Sequence, residues 1–276
     1  MDNKKCRAFL KWAGGKYTLV NEISSRLPEG SRLIEPFVGA GSVFLNTHYP
    51  DYLLNDINPD LVNLYRILQI RPQQYVHDAR QLFVPQNNQS DQYYALREEF
   101  NLSADPYHRS LLFLYLNRHG YNGLCRYNLS GKFNVPFGRY KQPYFPEREL
   151  YRFAEKAQGM TFTCKPFAEV FQMARPGDVI YCDPPYAPVS RTANFTSYAS
   201  NGFSMAEQSR LADHARAMAE QGIRVLISNH DTEQTRDLYA GAELSLLKVG
   251  RFISQKGHKR SKVNELLALF SPAPEA

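Results

Sequence analysis

Asp183-Pro184-Pro185-Tyr186 places a carboxylate, two prolines and an aromatic ring in four consecutive positions. The run follows Val179-Ile180-Tyr181-Cys182, an apolar stretch that predicts a buried strand. Proline has a fixed φ and no N–H to donate, so the loop is stiff and its carbonyls have fewer local partners. The result is a rigid cup of one acid, available carbonyl oxygens and one flat ring. Such a cup suits an exocyclic amino group on a planar base. The Asp183 carboxylate and the Pro184 carbonyl can accept its two hydrogens, and Tyr186 can stack on the ring. A proline turn beside a solvated Asp is the alternative that these four residues alone leave open.

A second candidate is Phe37-Val38-Gly39-Ala40-Gly41, between a predicted strand and a predicted helical segment, Val43-Phe44-Leu45. Glycines there allow a ligand to approach the backbone, and the following helix offers N–H groups. A dinucleotide fingerprint would put a third glycine at position 44, but Phe44 stands there, which argues against a diphosphate-bearing cofactor. Asp56 ends the next predicted strand, where an acid typically accepts hydrogen bonds from ribose hydroxyls. Together they read as a nucleoside pocket without a diphosphate cradle. A packing turn and a helix-capping Asp is the plainer alternative. Upstream, Lys11-Trp12-Ala13-Gly14-Gly15-Lys16 is a glycine-hinged basic segment holding the single Trp. Read plainly, Trp12 packs in a core and Lys16 lies on the surface.

Charge is unevenly spread. Residues 1–16, 118–148 and 248–262 carry +4, +5 and +6, so the remainder is at −9 against a net charge of +6. A soluble fold does not need that segregation, whereas a polyanionic partner does. The composition, 43% hydrophobic and 22% charged, is that of an ordinary globular protein, and no run approaches the ~18 apolar residues of a membrane span. No apolar signal segment follows Met1, and Cys6, Cys125, Cys164 and Cys182 form no C-x-x-C pair. A cytoplasmic protein with neither disulfides nor a metal is expected. Cys164 and Cys182 read as core residues.

The elements that must position these groups can be read from periodicity. Strands are expected over 31–37 and 52–57, with a helix from Pro59 that places Leu61, Leu64, Tyr65 and Leu68 at helical spacing. This βαβα opening is that of a doubly wound sheet. Helices follow over 72–82, 91–101 and 106–118. A Gly-, Asn- and aromatic-rich basic stretch over 120–141 has Ser130-Gly131 as a hairpin turn. A helix over 146–157 and a short strand over 160–164 return to the sheet. After the loop 187–203 come a helix over 205–221 and a strand over 225–229. Two antiparallel edge strands, 243–249 and 263–270, close the chain. The expected fold is α/β, a doubly wound, mostly parallel sheet with a helical and β-hairpin insertion. The boundaries are 1–59 with 145–276 for the main domain and 60–144 for the insertion.

In order, the segments at 11–16, 35–42 and 183–186, with the insertion between the last two, resemble the S-adenosylmethionine-dependent amino-methyltransferases of DNA. The closer resemblance is to Dam-type DNA adenine-N6 methylases, whose target is GATC. It runs over essentially the whole chain, through 9–17, 35–46, 114–128 (Leu-Tyr-Leu-Asn-Arg-His-Gly-Tyr-Asn-Gly-Leu-Cys-Arg-Tyr-Asn), 133–140 and 181–188. Long matched runs are far more specific than any single motif.

The resemblance implies a Rossmann-like methyltransferase, S-adenosylmethionine as cofactor and duplex DNA containing GATC as partner. Trp12, Ala13, Gly14 and Lys16 would hold the cofactor, Trp12 and Lys16 at its methionine part. Glu35, Phe37, Gly39, Gly41 and Ser42 would line the pocket. Asp56 would hold the ribose, with Ile57 and Phe167 beside the cofactor. Phe167 matches a position where relatives can carry Tyr, which puts a hydroxyl contact there in doubt. Asp183, Pro184, Pro185 and Tyr186 would hold a flipped adenine, Asp183 also facing the cofactor. Lys11, Leu124, Arg126 and Pro136 match residues that read GATC, with Arg126 on a guanine, and Tyr121 matches one that enters the base stack. Asn122, Asn128 and Arg139 complete the expected DNA contacts. The expected setting is DNA replication and mismatch repair in the bacterial nucleoid; a GATC methylase can equally be a solitary enzyme or half of a modification system, which the sequence does not separate, and a monomer is expected. Amino methylation of RNA or of protein glutamine, and DNA binding without catalysis, are the competing readings. The basic aromatic hairpin argues for duplex DNA, and the intact motifs argue for turnover.

Overall fold

The structure, a computed structural model, describes residues 5–186, 203–247 and 264–273. The expected loop over 187–203, save Phe203, and the basic segment 248–262 lie outside the described residues. In chain order the strands are β1 (Arg32–Glu35), β2 (Asp51–Asn55), β3 (Thr161–Thr163), β4 (Asp178–Cys182), β5 (Arg224–His230), β6 (Glu243–Leu247) and β7 (Glu265–Phe270). The helices are α1 (Val20–Ser24), α2 (Pro59–Ile70), α3 (Pro72–Gln81), α4 (Ser90–Leu102), α5 (Pro106–His119), α6 (Glu147–Lys156), α7 (Phe167–Phe171), α8 (Met205–Glu220) and α9 (Glu233–Leu238).

The chain divides into two units. One comprises Met1–Asn21, Val38–His48 and Asp56–Cys164; the other comprises Glu22–Phe37, Tyr49–Asn55 and Lys165–Ala276.

The second unit holds every strand but β3, in the order β2-β1-β4-β5-β7-β6. β1 runs parallel to β2 and β4, and β4 parallel to β5. β7 runs antiparallel to both β5 and β6. This is a mostly parallel, doubly wound α/β sheet. Its parallel strands are buried along nearly their whole length, as expected of near-continuous apolar runs covered by helices. Ile34, Leu53, Ile180, Val225, Ile227, Leu266 and Ala268 form its core with Val170 and Phe171 of α7 and Leu211, Ala212 and Ala215 of α8. Ser204 starts α8 through a capping box with Glu207. The order reverses at β1, with β2 on one side and β4 on the other. The carboxyl ends of β1 and β4 are therefore the switch point at which such sheets bind ligands.

Of the last two strands only β6 is an edge. β7 lies between β5 and β6 because its residues are apolar and nearly all buried, whereas β6 is largely exposed.

In the first unit, α2 starts at Pro59 under an N-cap by Asn58, whose side chain accepts from the Asp60 and Leu61 N–H groups. Asp105 caps α5, which is buried from Ser110 to His119. The connection after Gly41 differs from expectation. It holds a single 3₁₀ turn, Phe44–Asn46, and no α-helix. Asn46 Nδ2 donates to the Ser42 carbonyl at 2.8 Å and Thr47 Oγ1 to the Val43 carbonyl at 2.9 Å. These side chains take up the carbonyls that a longer helix would use.

Candidate active site and nucleic-acid interface

In the second unit, Asp183 leaves the end of β4 at the switch point. Ser228 on β5 places its hydroxyl 3.1 Å from Asp183 Oδ1, 3.1 Å from the Tyr181 hydroxyl and 3.3 Å from the Cys182 carbonyl. The acid is thus tied to the neighbouring strand. The Pro185 carbonyl accepts from Gln208 Nε2 at 2.7 Å, and Gln208 Oε1 accepts from Asn229 Nδ2 at 3.0 Å. Gln208 and Asn229 are fully buried, so this amide pair holds the proline loop from below. The Tyr186 hydroxyl donates to Glu265 Oε2 at 3.0 Å, and the His230 ring stands nearly perpendicular to the Tyr186 ring at 4.6 Å. Burial pushes the Tyr186 phenol well above its ordinary pKa, and the charge of Asp183 pushes it the same way.

Phe37, at the exit of β1, packs on Phe167 and Phe203 with ring centres 5.6 and 5.5 Å away. Glu35, the last residue of β1, is buried. Phe167 is buried at the start of α7 with Arg210 over its ring.

In the first unit, Gly39 adopts φ +48° and Gly41 φ +73°, conformations that favour glycine. A Cβ on Gly39 would lie 2.9 Å from Trp12 Nε1. The Gly39 N–H donates to Asp56 Oδ2 at 3.0 Å, and the Asn58 N–H donates to Asp56 Oδ1 at 3.0 Å. Burial raises the Asp56 carboxyl pKa, and the N–H groups of Asn58, Gly39 and Ile57 partly offset it. Trp12, Gly39 and Asp56 therefore form one cluster, joined by Ile57, whose side chain is exposed.

Both plain readings of the Trp12 segment change. Trp12 is only partly buried, whereas Lys16 is 3% exposed, with Nζ 2.9 Å from the Gly14 carbonyl. Ala13 and Gly14 are exposed, and Ser42 is buried. Phe44 is fully buried against Phe153, so the third glycine position of a dinucleotide cradle is core here.

The stretch 120–141 forms a hairpin in the same unit. Tyr127 and Phe133 pair as an antiparallel bridge, and the Gly131 N–H donates to the Asn128 carbonyl at 2.9 Å with Gly131 at φ +72°. Asn128 Oδ1 accepts from the N–H groups of Ser130 and Lys132, which fixes the turn. Arg126 is exposed, with Nε donating to Asn134 Oδ1 at 2.8 Å. Tyr121 and Pro136 are exposed, Leu124 partly so, and the Tyr121 N–H donates to the Pro136 carbonyl at 2.8 Å. Lys11 meets the hairpin directly. Its backbone is bracketed by the Asn117 side chain, and its Nζ stands 3.8 Å from the centre of the Tyr140 ring. A Cβ on Gly123, at φ +63°, would collide with Lys11 Cβ at 2.2 Å. Asn122 and Arg139 are the non-glycine residues with positive φ among those described, at 53° and 52°, and both are expected DNA contacts. Such strain clusters where side chains are held for a purpose.

Of the hairpin aromatics, Tyr121 is exposed, whereas Phe133 is core, Tyr127 donates to Asp60 Oδ2 at 2.7 Å and Phe137 packs on Tyr93. Cys182 is buried and its thiol is pushed up well above the ordinary range, so it stays protonated. Cys164 corrects the sequence reading: it is exposed, because it lies one residue beyond the three-residue β3, where strand alternation no longer sets its side with Phe162.

Sequence reasoning passed over Ser228, Asn229, Gln208, His230 and Glu265. Ser228-Asn229 carried a signal, since polar residues ending a buried parallel strand lie at the ligand-binding edge of the sheet. Gln208, inside a helix, and Glu265, heading an apolar strand, carried none.

Among the described residues no group of three or more His, Cys, Asp or Glu could hold a metal ion, and no helix is long and apolar enough to cross a membrane. The sequence profile of the D12 class N6 adenine-specific DNA methyltransferases matches residues 12–254. A DNA adenine methylase of Serratia marcescens is 63% identical over 268 residues, covering 97% of this chain and 99% of the relative. DNA adenine methylases of Vibrio cholerae and Escherichia coli are 62% and 60% identical over 270 and 269 residues, each covering 98% of this chain and, respectively, 98% and 97% of the relative.

Proposed function

From the premise that this chain belongs to the D12 class N6 adenine-specific DNA methyltransferases and is of the Dam type, we propose that it methylates adenine N6 within GATC in duplex DNA. S-adenosylmethionine is the proposed donor, and the target base is proposed to turn out of the helix to react. The observation that carries the reading is the rigid cup at the end of β4, with Asp183 held by Ser228 and Tyr186 held by Glu265.

The cluster of Trp12, Gly39 and Asp56 fits the donor. The turn at Gly39 leaves no room for a Cβ, and a partly buried carboxylate oriented by two N–H groups suits the two hydroxyls of a ribose. In this reading Trp12, Ala13, Gly14 and Lys16 hold the methionine part. Glu35, Phe37, Gly41 and Ser42 line the pocket, while Ile57 and Phe167 flank the adenine of the donor. When bound, S-adenosylmethionine supplies an activated methyl group on a sulfonium.

The chain's own residues do the rest by orientation. Adenine N6 is a poor nucleophile because its lone pair is delocalised into the ring. Asp183 and the Pro184 carbonyl accept hydrogen bonds from its two N–H groups, draw electron density towards nitrogen and favour a tetrahedral geometry; as N6 bonds to the methyl carbon the methyl–sulfur bond breaks, and N6 then gives up one proton. Tyr186 stacks on the base, and the stiffness of Pro184-Pro185 keeps the acceptors in place before the base arrives. No covalent nucleophile is required, in keeping with the protonated thiol of Cys182.

N6 is out of reach inside a duplex, and turning the base out costs a few kcal/mol. Tyr121, an exposed aromatic at the base of the hairpin, is the residue proposed to fill the stack. Arg126 can pair with guanine O6 and N7 after leaving Asn134. Lys11, Leu124 and Pro136 read neighbouring bases. Asn122, Asn128 and Arg139 complete the contacts, Arg139 with Lys132 on phosphates. Residues 60–144 thus serve as the target-recognition insertion, with 1–59 and 145–276 as the catalytic part.

Methyl transfer to a duplex holding one GATC, compared with the same bases shuffled, tests this reading. Transfer to the first alone supports it. Equal transfer to both contradicts the GATC assignment, and transfer only to RNA or protein contradicts the DNA substrate.

A further inference from the structure

β7 is apolar from Leu266 to Phe270 and nearly all buried, yet its first residue is an acid that is 1% exposed. A carboxyl group removed from water is costly unless hydrogen-bonded. A leucine there would serve the strand at no such cost. The register sets Glu265 opposite His230, the last residue of β5. Glu265 Oε2 accepts from the Tyr186 hydroxyl at 3.0 Å, while the His230 ring stands against the Tyr186 ring at 4.6 Å and 78°.

A tyrosine ring has two free torsions. A flat base stacks well on it only when both are set before the base arrives. The hydroxyl contact at one end and the perpendicular imidazole at the side set them together. Resting on the proposed role of Tyr186 as the adenine-stacking ring, we infer that Glu265 is a positioning residue of the methyl-transfer site, acting through the Tyr186 hydroxyl. The acid touches neither adenine nor donor; its contribution is the orientation of the ring.

The test is a double-mutant cycle read by single-turnover methyl transfer to a GATC duplex, with KM for DNA measured alongside. Glu265→Leu slows transfer about tenfold, the order that one hydrogen bond to a charged group controls, with KM for DNA within about twofold, as expected of an interaction used in the transition state. In a Tyr186→Phe background, which lacks the hydroxyl, the same change has no further effect. Glu265→Gln keeps an acceptor and recovers most of the rate. Should Glu265→Leu fail to fold, Glu265→Asp keeps the acid and withdraws it by one methylene, and the same dependence on the hydroxyl is expected. Equal slowing in both backgrounds, or no slowing in either, overturns the inference while leaving the proposed function standing. No transfer by the wild-type protein overturns both.

Discussion

The hydroxyl of Ser228, on β5, lies 3.1 Å from Oδ1 of Asp183, the residue that follows the neighbouring parallel strand β4. The acid of the Asp-Pro-Pro-Tyr loop is therefore held by its loop and by a second strand. Ser228→Ala removes the second hold. The expected outcome is a kcat about tenfold lower, the order set by one hydrogen bond to a charged group, with DNA affinity unchanged in a fluorescence-anisotropy titration. An unchanged kcat would mean that the loop alone orients the acid.

Gly39→Ala places a methyl group 2.9 Å from Trp12 Nε1 at φ +48°. Either Trp12 moves or the turn opens, and the N–H that orients Asp56 moves with it. Calorimetric titration with S-adenosylmethionine should show affinity lowered about tenfold or more, equivalent to ~1.4 kcal/mol. Nonspecific DNA binding should be unaffected. Wild-type affinity would remove Gly39 from the donor site.

Arg126→Ala should cost ~1–3 kcal/mol of discrimination at one base pair, because a bidentate arginine reads sequence. Arg139→Ala should weaken binding to all sequences alike and lower its salt dependence, because a phosphate contact positions without specifying. Competition between GATC and singly altered duplexes at two salt concentrations separates the two. A uniform loss for Arg126→Ala would move it to the backbone.

His119 predicts an acid sensitivity. It is 1% exposed, and burial lowers its pKa from 6.5 to about 4. The unfolded chain therefore binds a proton below about pH 6.5 that the folded chain refuses until about pH 4. Stability is full above that window, falls as pH falls through it, and levels off below. The full loss is roughly 3 kcal/mol. Urea unfolding at pH 7.5 and 5 should show a smaller fall for His119→Gln than for the wild-type protein. Equal falls would mean that His119 does not titrate on unfolding.

Much of the fold was legible because its signals are local. Pro59 after Asn58 fixes the start of α2, and the continuous apolar runs of β4 and β5 mark buried parallel strands. The Asp-Pro-Pro-Tyr loop and the Gly39 turn announce themselves through residue types that a plain connection does not need. The residues behind them were illegible for a different reason. Gln208 and Glu265 reach Pro185 and Tyr186 across 23 and 79 residues of sequence, so their partners exist only once the sheet has formed. The turn after Gly41 was misread because side-chain competition from Asn46 and Thr47, rather than hydrophobic period, ends it. Cys164 was misplaced because a three-residue strand is too short for alternation to be read.

Methyl transfer to adenine N6 at the Asp183 cup can be followed with labelled S-adenosylmethionine and two unmethylated duplexes. One holds a single GATC; the other carries 2-aminopurine, which lacks the N6 amino group, in place of that adenine. Label is expected on the first alone, and on neither when Asp183 is replaced by Ala although DNA still binds. Label on both duplexes, or normal turnover by Asp183→Ala, would contradict transfer to N6 at the Asp183 cup.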